Sequence, residues 1–573
     1  MPKPHPCRAW LIALALVAPL PGVAQEDTAP DGDPLDHVPA ASLLTVVLNS
    51  PETHLATLDQ YLLGLAPQPV AALVRQQLGG VLGSPNLDGV DLAGNLAAFM
   101  PLPGVDDPTS VGLLLPIDDY EQLLAGSRLL NQAGVDDVAI LNATVAAVPF
   151  NDAFALLAPV PFYDQLQAVK GRLQALAAAD TLGARLDAAE GQRAEALPLW
   201  AYGDVQRAVT QFGPLIDERR QALKEALEAQ ATQGGMGGMG VFADSYLALF
   251  DLVLAESSAL SLGFDFSPQV VTLSLALTAR PDTTMASFFQ GRGEHDNRRL
   301  LPYLGDRAIM GMVFNASPAL WQRFNAFYFA ILDQLPEVEP QAVADFKAVL
   351  GEMADILGNG VAVDLGVTGV GPVPFSSHYL VELRDPAGFE ALFERFETLL
   401  ESDAVSALYG AMGMPMGVKY TVERGIRQYR GIAIDAVTTA FETTDPATPL
   451  PPELPEGGLT TELAVVDDLL LYSFGVPMEG LIDAVEAEDN AIAPQYLAAL
   501  EVFPEAASAD LVMTYNVAGI AQAMAQQQVA GRSSLVITGD AEDGHLTTQI
   551  ALPKQHLLES VMAFMALQQQ QQP

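Results

Sequence analysis

The sequence predicts an α+β chain made of two related halves, each an antiparallel or mixed sheet with helices against it. Three observations carry this. A short apolar strand, a turn residue and an amphipathic helix recur along the chain. The order of these pairs in the first half returns in the second, and each half closes on a hairpin-like phrase that leads into a helix.

Residues 43–48, Leu-Leu-Thr-Val-Val-Leu, read as a strand entering a helix over 51–65, and 308–314 repeats the phrase before a helix over 318–332. Strand 112–116 with helix 119–130 is answered by 379–383 with 386–400. The pair 154–159 and 163–176 is answered by 469–474 and 478–486, and 199–202 with 205–212 by 511–515 with 517–527. Apolar residues at i, i+3, i+4 and i+7 give these helices one buried face. Residues 258–279, turning around 265–269, and 534–552, turning at Glu542-Asp543-Gly544, close the halves and lead into helices over 283–289 and 555–567. Matching strands lie 265 residues apart at Leu43/Ala308 and 275 apart at Leu260/Leu535. The offset widens between them, where the second half carries Pro-rich insertions such as 446–455. The expectation is an internal duplication, with halves over 41–290 and 300–567 and a polar, Gly-rich boundary at 291–299.

The ends speak for export. Lys3 and Arg8 precede an uncharged apolar run, and Gly22-Val23-Ala24 supplies small residues for a signal peptidase, so residues 1–24 read as a signal peptide cleaved after Ala24. The run is too short to span a bilayer and contains Pro19 and Pro21. The one cysteine, Cys7, leaves with the signal, so the mature chain has no thiol for a lipid anchor, a disulfide or a cysteine-bound metal. Residues 25–40 are acidic and broken by prolines, and read as a flexible leader; 568–573 is a polar tail. No later apolar stretch is long enough to span, since 245–257 is interrupted by Asp251 and Glu256 and suits a buried amphipathic helix. The expectation is a soluble mature protein with no transmembrane segment, placed in the periplasm or outside the cell.

Strands of the type Leu-Leu-Thr-Val-Val-Leu, the paired closing phrases, and Tyr-Leu-Val-Glu-Leu-Arg-Asp-Pro at 379–386 resemble a broad group of uncharacterised exported bacterial proteins that share a domain of unknown function. The likeness spans most of the mature chain and is one of rhythm. It implies a secreted or cell-envelope setting and brings no site residues.

Charge excludes one class of partner. The full chain has 27 basic and 70 acidic residues, a net charge of −43, which becomes −45 once Lys3 and Arg8 leave. Such a surface repels nucleic acid and anionic lipid. The skew toward Arg over Lys fits either a salt-adapted surface or a GC-rich genome.

Six histidines survive cleavage: His37, His54, His295, His378, His545 and His556. None pair at i, i+4 and no His-Glu-x-x-His occurs, which argues against a zinc hydrolase and for scattered surface residues. A Ser-His-Asp triad can be assembled only from distant residues, with no Gly-x-Ser-x-Gly elbow to place the serine. Gly366-Val-Thr-Gly369-Val-Gly371 lacks the lysine of a phosphate loop and is followed by Pro372 and Pro374, so it reads as a hairpin or bulge. Asp540-Ala-Glu542-Asp543-Gly544 lacks a full calcium ladder and reads as a turn. Acidic pairs such as Asp118-Asp119 and Asp467-Asp468 are expected by chance in so acidic a chain.

The most unusual local features are two Met-Gly runs, 234–240 and 411–417. Thioether sulfurs suit Cu(I), and Met412, Met414 and Met416 are the candidate ligands. The plainer reading is a mobile apolar loop in which Met236 and Met239 touch a partner or an apolar ligand. The charged helix over 216–231 reads as solvated and as a brace for the first run.

Together these readings predict no catalytic residues and no cofactor. The leading expectation is a non-catalytic exported binding or structural scaffold whose partner is a protein, an apolar ligand or an envelope component. The alternatives are a secreted hydrolase with scattered acidic residues, and copper handling through the Met-Gly loops.

Overall fold

The computed structural model describes residues 32–66, 68–126, 138–233, 239–289, 296–305, 308–333, 340–367, 375–402, 407, 416–443, 457–487, 491–524 and 533–570. These form two units. Unit 1 takes the described residues of 1–213, 257–280 and 549–554, and unit 2 those of 214–256, 281–548 and 555–573. The division therefore does not fall at 291–299. Residues 214–256 leave the expected first half for unit 2, and 549–554 leave the second half for unit 1.

Unit 1 is an antiparallel sheet. Its strands are β1 (Leu44–Leu48), β2 (Leu96–Met100), β3 (Gly112–Pro116), β4 (Ala139–Leu141), β5 (Val145–Pro149), β6 (Phe154–Pro159), β7 (Leu199–Asp204), β8 (Ser257–Phe266) and β9 (Val270–Ala279). They pair in the order β4-β5-β6-β3-β2-β1-β7-β8-β9. Alternate side chains feed two cores. Leu48, Leu113, Leu115 and Leu199 pack under the helices Pro51–Leu62 and Val70–Leu82. Val47, Leu114, Leu156 and Trp200 pack under the helices Leu166–Gln174, Leu182–Arg185 and Ala188–Ala196. Both faces being covered explains why β3, Gly-Leu-Leu-Leu-Pro, is buried at every residue rather than alternating.

The described part of the leader is not flexible. Asp33 caps a 3-10 turn over Pro34–Asp36 by accepting from Leu35 N at 2.9 Å, and Leu35 and Val38 are buried in the second of these cores. Two well-spaced apolar side chains outweighed the prolines and acids around them.

Unit 2 is built from β10 (Met310–Asn315), β11 (Leu357–Val367), β12 (Phe375–Leu383), β13 (Met416–Tyr429), β14 (Ile432–Thr443), β15 (Leu459–Val466), β16 (Leu469–Phe474), β17 (Leu511–Tyr515) and β18 (Leu535–Glu542). The order is β13-β14-β15-β16-β12-β11-β10-β17-β18, again antiparallel. Val313, Ala362, Leu380 and Leu471 face the helices Met478–Glu486 and Pro494–Val502, while Leu383, Val422 and Leu463 face Phe389 and Phe393 of the helix Pro386–Leu400. Asp385 starts that last helix by accepting from Gly388 N at 2.9 Å, with Pro386 at its first position. β18 turns through Asp543 (φ 48°) and Gly544 (φ 85°) into β19 (His545–Pro553). This is the turn the sequence predicted at Asp540–Gly544, where two left-handed residues match the twist of a two-residue hairpin.

Among the described residues, β1, β2, β3, β6, β5, β7 and β8 pair in unit 1 in the same order as β10, β11, β12, β16, β15, β17 and β18 do in unit 2. β14 corresponds to β4, and unit 2 adds β13 beyond it. Each central strand is also closed the same way. Asn49, just after β1, donates its side-chain amide to Ala194 O at 2.7 Å and Leu197 O at 2.8 Å, and its backbone N to Pro198 O. Asn315, the last residue of β10, donates to Asn297 Oδ1 at 2.6 Å and Ala509 O at 3.2 Å, and its backbone N to Asp510 O. In both units a buried asparagine thus fixes the segment that feeds the strand beside the central one.

Among the described residues no helix is long and apolar enough to cross a membrane. The helix Met239–Glu256, expected to be buried, exposes Leu249 and Phe250.

Two outcomes follow from these contacts. Asn49→Ala and Asn315→Ala each strand buried acceptors and should each cost about 1–3 kcal/mol, read as a lower urea midpoint; an unchanged midpoint would show that the clamps are dispensable. His54, on the helix Pro51–Leu62, is held by burial at a pKa of about 4, below its ordinary 6.5. The unfolded chain then binds the extra proton between those values, so this contribution to stability is full above pH 6.5 and is lost as pH falls toward 4. His54→Gln should flatten that part of the profile, measured as the difference in urea midpoint between pH 4.5 and 7.5.

Candidate functional site

In unit 1, where β7 ends and the helix Val205–Gln233 begins, the surface opens into a cavity of about 520 Å³. That is within the range of small-molecule sites. The recess beside Phe389 and Arg424 in unit 2 holds about 240 Å³, and the crevice under the helices Pro51–Leu62 and Val70–Leu82 about 30 Å³, room for little more than a water.

Local chemistry places each wall. Asp204, the last residue of β7, caps the helix by accepting from Arg207 N at 2.9 Å through Oδ1. Its Oδ2 takes Arg207 Nε at 2.9 Å and lies 4.0 Å from Arg185 Nη2. The two guanidiniums are then held by successive carbonyls of the incoming chain: Arg185 Nη1 donates to Ala40 O at 3.0 Å and Arg207 Nη1 to Ala41 O at 2.9 Å. The ordered end of the leader is therefore part of the site. Gln206 lines it in the first turn of the helix and Thr210 and Gln211 in the next, with Ser258 from β8 and an apolar side made by Leu43 and Pro101.

Tyr202 is another wall, and it is rigid. Its ring stacks on Trp200 with centroids 5.6 Å apart and planes 23° apart. Trp200 is fully buried and donates Nε1 to Glu190 Oε2 at 3.1 Å; Ser261 Oγ donates to Glu190 Oε1 at 2.8 Å, and Arg193 Nε lies 3.2 Å from the same oxygen. Burial, with the Asp204 carboxylate adding to it, pushes the Tyr202 phenol above its ordinary value, so it is a neutral hydroxyl near pH 7. The cavity thus offers two cations, one carboxylate already engaged by both, a phenol, amides and hydroxyls. This is a set for holding and orienting a polar group. It has no pair of carboxylates and no nucleophile set against a base.

The residues singled out in the sequence lie elsewhere. Met236, Met412 and Met414 fall outside the described residues, as do the side chains of Met239 and Met416. Among the described residues no group of three His, Cys, Asp or Glu side chains is arranged to hold a metal. Of the glycine run 366–371, the described Gly366 and Val367 end β11. The helix over 216–231 is part of Val205–Gln233, and Arg220 grips Asp251 of the helix Met239–Glu256 through Nε at 2.7 Å and Nη2 at 2.5 Å.

Of the described histidines His556 is buried, and burial lowers the pKa of His37, His54, His378 and His556. The fold does bring a serine, a histidine and a carboxylate together. Ser533 Oγ donates to Glu559 Oε2 and lies 3.3 Å from His556 Nδ1. The serine stands between acid and imidazole, however, whereas a hydrolytic triad needs the imidazole between serine and acid, and His556 is closed to substrate. Sequence reasoning missed Arg185, Tyr202, Asp204 and Arg207. The one local sign is Asp204 itself, an aspartate between an apolar strand and an amphipathic helix, the signature of a helix cap.

Glu190 is the tie beneath Tyr202. Glu190→Ala would strand the Arg193 charge and should cost about 3–5 kcal/mol, with loss of the Trp200 near-UV dichroism; pairing it with Arg193→Met should recover much of that loss. Full stability in the single variant would remove the network from the site's support.

No protein-family model matches the chain, and no curated protein does. Three solved structures of TP0453 align with parts of it: crystal form III at 12% identity over 46% of this chain and 97% of that one, with a TM-score of 0.21. Form I does so at 10% identity, 47% and 96% coverage and a TM-score of 0.20, and form IV at 13% identity, 47% and 97% coverage and a TM-score of 0.22.

Proposed function

We propose that this chain is an exported, non-catalytic binding protein, a scaffold of two duplicated units whose unit 1 cavity takes a small ligand. The observation that carries the reading is the cavity: about 520 Å³, walled by a stacked tyrosine and two guanidiniums whose positions are fixed by backbone carbonyls. Side chains pinned in advance lose little freedom when a ligand arrives, which favours binding as their task. The shared pairing order, and the asparagine at the end of both central strands, support duplication. Signal-like residues 1–24, and the resemblance to exported bacterial proteins, support the compartment.

The reading has two tests. A screen of small neutral, cationic and anionic compounds by ligand-observed NMR on the full chain should give binders that are lost in Thr210→Trp and Ser258→Phe, which fill the cavity. A screen with no such binders would sink the binding role. Fractionation should place a shortened chain, starting at Gln25, outside the cytoplasm; full-length chain retained inside would overturn export.

A further inference from the structure

The geometry points to an oxyanion, a carboxylate or phosphate carried on a compact apolar body, as the ligand of the unit 1 cavity. This rests on the binding role proposed for that cavity and adds its chemistry. Arg207 uses Nε on Asp204 and Nη1 on Ala41 O, and Arg185 uses Nη1 on Ala40 O. Among the described residues Arg207 Nη2 has no protein acceptor, and Arg185 Nη2 reaches Asp204 only at 4.0 Å. Both arginine side chains are about half exposed, at 51% and 41%. Planar donors left over on two fixed guanidiniums are the usual receptor for a two-oxygen anion edge. Tyr202, Leu43 and Pro101 give its apolar body a wall.

Unit 2 supplies an internal control. At the corresponding junction, after β17, Asn516 stands where unit 1 has Asp204, and Gly519 where it has Arg207. Gly519 N donates to Asn516 Oδ1 at 2.7 Å, the same cap that Arg207 N makes with Asp204 Oδ1 at 2.9 Å. A neutral side-chain oxygen is therefore enough to start the helix, and the fold does not require the charges at the unit 1 junction. A partly exposed ion pair also adds little stability. In a chain of net charge −43, two arginines are turned on one cavity with a single carboxylate between them. Of the other nearby carboxylates, Glu190 is paired with Arg193, and Asp187 is the cap that accepts from Glu190 N and keeps its charge.

The test is calorimetry on the full chain with phenyl phosphate, benzoate, inorganic phosphate and neutral benzyl alcohol. Phenyl phosphate or benzoate should bind. Arg207→Gln and Arg185→Gln should each weaken that binding by about tenfold or more, the factor of a charge-assisted hydrogen bond. Asp204→Asn keeps the cap, as Asn516 does, and removes the competing charge, so it should tighten binding by roughly twofold to fivefold. It is a gain that misfolding cannot imitate. Inorganic phosphate binding as tightly as phenyl phosphate would make the ligand a free oxyanion and overturn the apolar body. Benzyl alcohol bound as well as benzoate, unaffected by the arginine variants yet lost in Thr210→Trp, would overturn the oxyanion and leave the binding role standing. No binding by any probe, or weaker binding in Asp204→Asn, would overturn the inference outright, with the binding role judged by its own screen.

Discussion

Everything in either unit hangs on a central strand whose exit is locked by a buried asparagine. An amide placed there satisfies carbonyls of a segment far away in sequence, about 145 residues from Asn49 and 194 from Asn315. Carbonyls buried without a donor would be costly, so the clamp decides where the neighbouring strand must enter. With β1 pinned between β2 and β7, the side chains of each strand are committed to one face or the other. The helices on both sides then follow from which residues are left needing cover.

The same placement makes a site. β7 enters beside β1 because of the clamp, and its last residue must begin a helix. A cap residue with an oxygen is needed at that point in both units. Unit 2 fills the requirement with Asn516; unit 1 fills it with Asp204, which can also hold arginines. The charged cavity of unit 1 thus differs from the neutral junction of unit 2 in its cap residue and in the guanidiniums that gather round it.

Much of the fold was legible because its strands and helices carry their own periodicity. Residues 112–116, 318–332 and 386–400 form the elements read from them, and the turn at Asp543-Gly544 follows from the left-handed conformation those residues accept. What the sequence hid was non-local. β2 and β11 each run into another strand and so fall outside the strand-helix rhythm, and Gly311 looks like a weakness in β10 until one sees that a Cβ there would collide with the Tyr496 hydroxyl. The leader was misread for a similar reason, since Leu35 and Val38 have meaning only against a core supplied mostly by residues beyond 90. The site was hidden most completely: Arg185 and Arg207 are two ordinary surface residues until Ala40 and Ala41 are brought between them.

The assignment of residues 549–554 to unit 1 bears on the order in which the protein can be made. Tyr61 Oη donates to Leu552 O, Lys554 N to Gln269 O, and Lys554 Nζ to Gln60 O. These contacts close unit 1 with a segment made long after the rest of it, which ends at residue 280. Synthesis from the N-terminus usually lets early domains finish early. Here the early unit waits for residues 549–554, with part of its sheet and the underside of its first helix unsealed until residue 554 arrives.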